Sequence, residues 1–179
     1  MAKTLVIYFS AYGSAKKYAE WIAGELSGDV FSIKEFREDT ITNYDTIVLG
    51  SALYVGKIQG INILVNNFEK IKDKKLVLFT CGLSDPEKPE NIYKINNILE
   101  KVVPDYIRQK AKIFYLRGGI NYKKLSISHR IMMWVVKTAL MKKKSEELTD
   151  DEKGILETYG KEIDFTKINN LTDLVKYCR

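Results

Sequence analysis

Five apolar runs of strand length recur along the chain, at Thr4–Phe9, Val30–Lys34, Thr46–Leu49, Leu76–Thr80 and Lys112–Leu116, each rich in Val, Ile, Leu, Phe or Tyr. Four read as buried on both faces. Between them the spacing changes to that of helices. Ser14–Leu26 places Tyr18, Ile22 and Leu26 at i, i+4 and i+8; Ile61–Phe68 groups Ile61, Leu64, Val65 and Phe68; Ile92–Val102 groups Ile92, Ile95, Leu99 and Val102. A last helix is predicted from Thr149-Asp150-Asp151-Glu152, a Thr-x-x-Glu capping box, through Ile155, Leu156, Tyr159 and Ile163. Continuous apolar strands alternating with amphipathic helices predict an α/β fold, an open doubly wound parallel sheet covered on both faces.

One interval breaks this rhythm. About thirty residues separate the fifth strand from the last helix, where a turn of two to six is usual. The interval holds Gly118-Gly119, Asn121-Tyr122-Lys123-Lys124 and a predicted helix from about Ile127 to Met141 that is apolar on nearly every side. Residues 1–179 therefore read as a single domain with a basic helical insertion at about 121–148. Charge concentrates in the same region. From Tyr106 to Ser145 there are eleven cations and no acid, against 18 cations and 23 acids elsewhere, so an acidic body carries one basic region.

Composition narrows the chemistry. With 179 residues, 45% apolar and 29% charged, the chain has the make-up of a folded globule able to bury a core. A single histidine, His129, excludes His-dependent triads and multi-histidine metal sites within one chain, and the two distant cysteines, Cys81 and Cys178, form neither a disulfide framework nor a zinc site. No metal is expected. No signal-peptide core or spanning run is present, and reduced cysteines suit a cytoplasmic location.

Ligands of open α/β sheets bind outside the carboxyl ends of the strands, where strand order reverses. That rule selects three loops. Ser10-Ala11-Tyr12-Gly13-Ser14-Ala15 follows strand one and opens helix one; its hydroxyls, glycine and helix N–H groups suit a phosphate, with Ser10, Tyr12, Gly13, Ser14 and Ala15 as contacts. A Ser/Gly turn that merely caps the helix is the alternative. It is neither a Walker A loop nor a dinucleotide fingerprint. The second loop, Gly50 to Lys57, combines small residues with an aromatic one, and Ser51, Ala52, Leu53, Tyr54, Gly56 and Lys57 are candidates to flank a planar cofactor, with Tyr54 stacking on it. The third supplies Thr80, Cys81 and Gly82, with Cys81 read as a small buried hydrophobe.

These loops resemble those of flavodoxins. Thr4–Phe9 leading into Ser10–Ala15 is similar to their FMN phosphate loop, and Tyr44-Asp45-Thr46-Ile47-Val48-Leu49-Gly50-Ser51 to their third strand entering the flavin loop. The resemblance implies FMN as cofactor and five parallel strands in the order 2-1-3-4-5. Tyr12 and Ala15 stand where hydroxyl residues are common, so phosphate contacts lean on backbone amides, Ser10 and Ser14.

A closer resemblance over nearly the whole chain is to the flavodoxin-like menaquinone-dependent protoporphyrinogen oxidases, which carry a long insertion before the last helix. Leu116-Arg117-Gly118-Gly119-Ile120-Asn121-Tyr122, Arg130-Ile131-Met132-Met133 and Leu148-Thr149-Asp150 are similar to their sequence there. The resemblance implies an FMN-dependent oxidoreductase moving electrons from a porphyrinogen to a quinone in heme biosynthesis, with no protein acid–base pair demanded. Tyr122, Arg130 and Lys137 become candidates for contact with substrate propionates or a membrane. For the insertion three alternatives stay open: packing on the domain, a homodimer, and peripheral attachment to the inner face of the cell membrane through cations and Trp134. Two further classes remain, a flavodoxin-type electron carrier and a basic binding module without flavin. No nucleic-acid motif accompanies the charge, so no nucleic-acid partner is expected.

Overall fold

The computed structural model describes residues 3–54 and 57–179, and the side chains of Leu53, Tyr54, Asp150 and Asp151 stand outside that description. In chain order the elements are β1 (Thr4–Phe9), α1 (Ser14–Leu26), β2 (Asp29–Ser32), β3 (Thr46–Tyr54), β4 (Lys57–Ile58), α2 (Ile61–Ile71), β5 (Lys75–Gly82), α3 (Pro89–Val102), α4 (Asp105–Lys110), β6 (Lys112–Arg117), β7 (Gly119–Asn121), α5 (Ile127–Leu140), α6 (Asp150–Thr158), β8 (Glu162–Asp164) and α7 (Thr172–Cys178).

Five strands pair in parallel in the order β2-β1-β3-β5-β6, and the two-residue β4 folds back antiparallel on the end of β3. Counting the parallel strands alone, this is the expected order 2-1-3-4-5. Alternation along each strand divides the core between two faces. Leu5, Ile7, Ile47, Leu49, Leu76 and Leu78 face α2 and α3, where Leu64, Ile71, Ile95 and Leu99 cover them. Val6, Val48, Val77 and Phe79 face the other way, under Tyr18, Ala19 and Ile22 of α1 and Leu174, Val175 and Cys178 of α7. Burial on both faces is why these strands read as unbroken apolar runs.

Strand three is longer than its apolar core predicts. Gly50, Ser51 and Ala52 pair with Phe79, Thr80 and Cys81, and Leu53–Tyr54 then pair with Ile58–Lys57. The segment read as a loop is thus mostly strand, hidden in the sequence because its residues are small.

The C-terminal third differs most from expectation. The Thr149 capping box forms, with the Thr149 hydroxyl accepting from Glu152 N–H and the Glu152 carboxylate accepting from Thr149 N–H. However, α6 stops at Thr158, and Gly160, at φ +80°, lies beyond its end. Ile163, read as helical, instead sits in β8 and pairs with Ile120 of β7. The helix that covers the sheet beside α1 is α7. The insertion before that last helix therefore runs from Gly119 to Asp164, wider than 121–148, and consists of two helices held between the strands of an antiparallel ribbon. Its ends meet: Phe165 N–H donates to the Gly118 carbonyl at 3.2 Å.

Candidate functional site

Beyond the carboxyl ends of β1, β3 and β5 lies a cavity of about 260 Å³. Its floor is Ser10, Ala11, Tyr12, Ser14 and Ala15 from the first turn, Ala52 from β3, and Cys81, Gly82 and Leu83 after β5. The opposite wall is Gly118 together with Gly119, Ile120, Leu125, His129, Met132 and Met133 of the insertion. The lining is mostly apolar, as small-molecule sites usually are.

At its first edge Gly13 adopts φ +99°, ψ −25°, a left-handed conformation that favours glycine, and it serves as N-cap of α1. Ser10 Oγ accepts from Gly13 N–H at 3.0 Å and keeps its own proton for a second partner. No side chain caps α1, and its first turn carries no acid. The leading N–H groups and the positive end of the helix dipole thus remain for an anion, the requirement for a phosphate.

The opposite wall is fastened to this edge at several points. Gly118 N–H donates to the Gly82 carbonyl at 2.6 Å, and Gly119 N–H to Ser14 Oγ at 2.9 Å. A Cβ on Gly118 would lie 2.7 Å from Cys81 Sγ and 3.2 Å from Ser14 Cβ, so only glycine lets the chain cross here. The Tyr12 hydroxyl and His129 Nδ1 share a hydrogen bond, with their rings edge to face at 5.6 Å. Beneath, Ile120, Tyr122 and Leu125 form a small third core with Tyr12, Leu83, Met133 and Tyr159.

Charges lock the rim. Arg117 Nη1 donates to Asp85 at 2.8 Å while its guanidinium stacks on Phe165 at 3.9 Å. Lys17 pairs with Asp164 at 2.9 Å. Burial works against ionisation of Asp164, but hydrogen bonds from Thr166 and Lys17 outweigh it and hold its pKa below the ordinary value. Burial pushes the Cys81 thiol up to about 12, with the Asp164 charge adding to it, so Cys81 is a neutral wall residue.

Ser10, Tyr12, Ser14, Ala15, Ala52, Cys81 and Gly82, all candidates from the sequence, come together in the cavity. Others do not. Gly13 borders two flanking hollows and not the central one. Ser51 is buried, its Oγ accepting from Gln59 N–H at 3.0 Å and donating to the Ala52 carbonyl at 3.1 Å, which makes it a fastener of the β3–β4 hairpin. Thr80 is buried within β5 and Lys57 is exposed on β4, and neither lines the cavity. Gly56 lies outside the described residues, as do the side chains of Leu53 and Tyr54, including the proposed stacking ring. Tyr122, expected at substrate or membrane, is mostly buried under the ribbon against Tyr159 at 5.0 Å, and its remaining surface borders a shallow hollow together with Arg130. Arg130 donates to the Lys123 carbonyl at 2.6 Å beside a separate shallow hollow, and Lys137 sits 4.4 Å over the Tyr159 ring.

The residues that sequence reasoning missed are Ala11 and Leu83 of the floor and the whole far wall, Gly118, Gly119, Ile120, Leu125, His129, Met132 and Met133. The Gly-Gly pair directly after strand five was a visible signal. The inner face of α5 was not, because an all-round apolar helix does not announce which side turns inward.

An uncapped helix start, a φ-positive glycine and an apolar slot between three strand ends fit FMN; Ser10 and the α1 N–H groups would hold its phosphate, and Ala52, Cys81 and Gly82 would flank its ring. The chain is 34% identical over 82 residues to an uncharacterised protein of Methanocaldococcus jannaschii, a match spanning 45% of this chain and about half, 55%, of that relative. It is similar to the flavodoxin, WrbA-like protein of Agrobacterium tumefaciens, at 18% identity and TM-score 0.45 over 72% of this chain and 87% of that one. It is also similar to oxidised flavodoxin 1 of Bacillus cereus, at 17% identity and TM-score 0.39 over 65% and 86%. The flavodoxin domain model matches residues 5–148, from β1 into the insertion. The chain belongs to the flavodoxin domain family, and FMN is the cofactor that this membership implies.

Proposed function

We propose that the protein is an FMN-dependent oxidoreductase that takes reducing equivalents from a porphyrinogen-like molecule and passes them to a quinone. One observation carries the reading: the insertion walls the cavity at the strand ends with Leu125, His129, Met132 and Met133, an apolar cover suited to apolar redox partners. Bound FMN supplies two-electron chemistry at its ring. In each round the donor loses a hydride and a proton and the quinone gains both, so three rounds convert a porphyrinogen to its porphyrin.

The chain's own residues position and exclude. Ser10 and the α1 N–H groups would hold the phosphate end, and the apolar wall keeps water from the reacting centres. The hydrogen bond between the Tyr12 hydroxyl and His129 Nδ1 holds both side chains in place at the cavity wall. Arg130, beside the hollow lined by Tyr122 and Tyr159, and Lys137, over the Tyr159 ring, offer cations to the donor's propionates. An electron carrier is disfavoured by charge, because such carriers present acidic faces to basic partners, and here eleven cations without an acid lie between Tyr106 and Ser145.

The decisive experiment uses the meeting of the insertion's ends. Replacing residues 119–164 by a short turn should leave a folded protein that still takes up FMN but no longer oxidises protoporphyrinogen with a quinone. Full oxidation by the shortened protein would remove the insertion from the reaction. No oxidation by the intact protein would leave the electron carrier as the better reading.

A further inference from the structure

Among the described residues ten large hydrophobic side chains are exposed, and six of them, Ile127, Ile131, Met132, Trp134, Val135 and Met141, belong to α5 or the residue after it. Met132 belongs to the cavity. Ile127, Ile131, Trp134 and Val135 fall at i, i+4, i+7 and i+8, a single outward stripe, with exposures of 77%, 57%, 59% and 53%. The opposite face carries His129 and Met133 in the cavity wall and the buried Leu140. A helix apolar on both sides has one side unpartnered.

Cations bracket the stripe. Lys123 and Lys124 precede α5, and Lys142, Lys143 and Lys144 follow it, all exposed. Lys143 pairs with Glu152 at 2.6 Å, and the exposed Glu146 and Glu147 come next in the chain, so Lys142 and Lys144 are the outward cations at this end. The 14 residues of α5 span about 21 Å, with positive charge at both ends and tryptophan among the aliphatic residues between. No described helix is long and apolar enough to cross a membrane.

We propose that this face of α5 lies in the plane of an anionic lipid bilayer, with Ile127, Ile131, Trp134 and Val135 in the interfacial layer and the flanking lysines on acidic headgroups. A second copy of the chain is the poorer occupant. A two-fold contact through α5 would set the same lysine-rich ends near one another, and like charges facing across an interface are repulsive. An anionic lipid surface satisfies the apolar stripe and the cations together, and the same helix then forms a cavity wall at the membrane surface. This docking holds whichever molecule reduces the flavin.

The test is flotation of the full-length, flavin-loaded protein with vesicles of phosphatidylcholine alone and with about one third phosphatidylglycerol, at low and high salt. Binding to the anionic vesicles, lost at high salt and weak on neutral ones, is expected. The double variant I131S/W134S should lower partitioning more than tenfold, and K142E/K144E at least about fivefold per lysine. All four positions are exposed and outside the cavity, so flavin content should not change in either variant. Fluorescence of Trp134, isolated by Trp21→Phe, should shift to shorter wavelength only with anionic vesicles. Absence of binding to either vesicle, or equal binding to both without salt dependence, would overturn the proposal. So would a dimer in sedimentation that I131S/W134S dissolves, which would assign the face to a second copy.

Discussion

Replacing Gly13 by aspartate separates the fold from the phosphate site. Gly13 lies at φ +99°, and a Cβ built there meets no atom within 4 Å, so the substitution costs backbone strain without a clash. That strain is about 1–2 kcal/mol, toward the lower end for aspartate, which tolerates left-handed conformations. Against it, α1 has no side-chain cap and no acid in its first turn, so a carboxylate at its start returns about 0.3–1 kcal/mol through the helix dipole. Apoprotein stability should therefore fall by only about 1 kcal/mol, a few degrees in Tm for a chain of this size. Flavin binding responds differently. A carboxylate on the order of 5 Å from a phosphate charge, at an effective dielectric constant of about 20, opposes it by about 3 kcal/mol, or more than a hundredfold in Kd. The assay is fluorescence titration of FMN into apoprotein beside urea unfolding of the same samples. Gly13→Asn, with similar shape and strain but no charge, should keep most of the affinity. An FMN affinity within threefold of the parent's for Gly13→Asp would place the phosphate elsewhere and refute the reasoning. Equal losses in both variants would trace the effect to strain instead of charge.

Other expected outcomes follow from particular contacts. Gly118→Ala pushes a Cβ to 2.7 Å from Cys81 Sγ and should destabilise the protein by about 1–3 kcal/mol; adding Cys81→Ala should recover part of that in a double-mutant cycle of unfolding free energies. Burial, helped by the hydrogen bond to Asp29 at 2.8 Å, pushes the Tyr44 hydroxyl up to about 12. Because this folded value exceeds the unfolded one, its stabilisation is complete below pH 10 and declines from there to 12. The parent should lose stability over that window by up to about 1.4 kcal/mol per pH unit more than Tyr44→Phe does. Burial also raises the thiols of Cys81 and Cys178, to about 12 and 11, so a disulfide reagent at pH 8 should titrate neither in the native protein and both in denaturant.

The sequence by itself determined the five strands of the parallel sheet and the helices α1, α2 and α3 between them. Strands buried on both faces must be apolar throughout, and the helices that cover them must be apolar on one side, so β1, β5, β6, α1 and α2 were written in local composition. The turn that opens α1 was legible for a similar reason, since Ser10 and Gly13 act through the turn they themselves form. Three things were decided only by tertiary structure. Ile163 fits a helical spacing as well as a strand, and only pairing with Ile120 across more than forty residues chose between them. Ser14 offers a hydroxyl that can both accept and donate, and the crossing of Gly119 decided which N–H it accepts from while leaving its proton to donate. Tyr122 and His129 look alike as polar-tipped rings in a basic segment, yet the closure of the ribbon buried the first and set the second against Tyr12. Local sequence fixes what a residue can bond to, but a partner far away in the chain is set by packing, where all the competing contacts are compared at once.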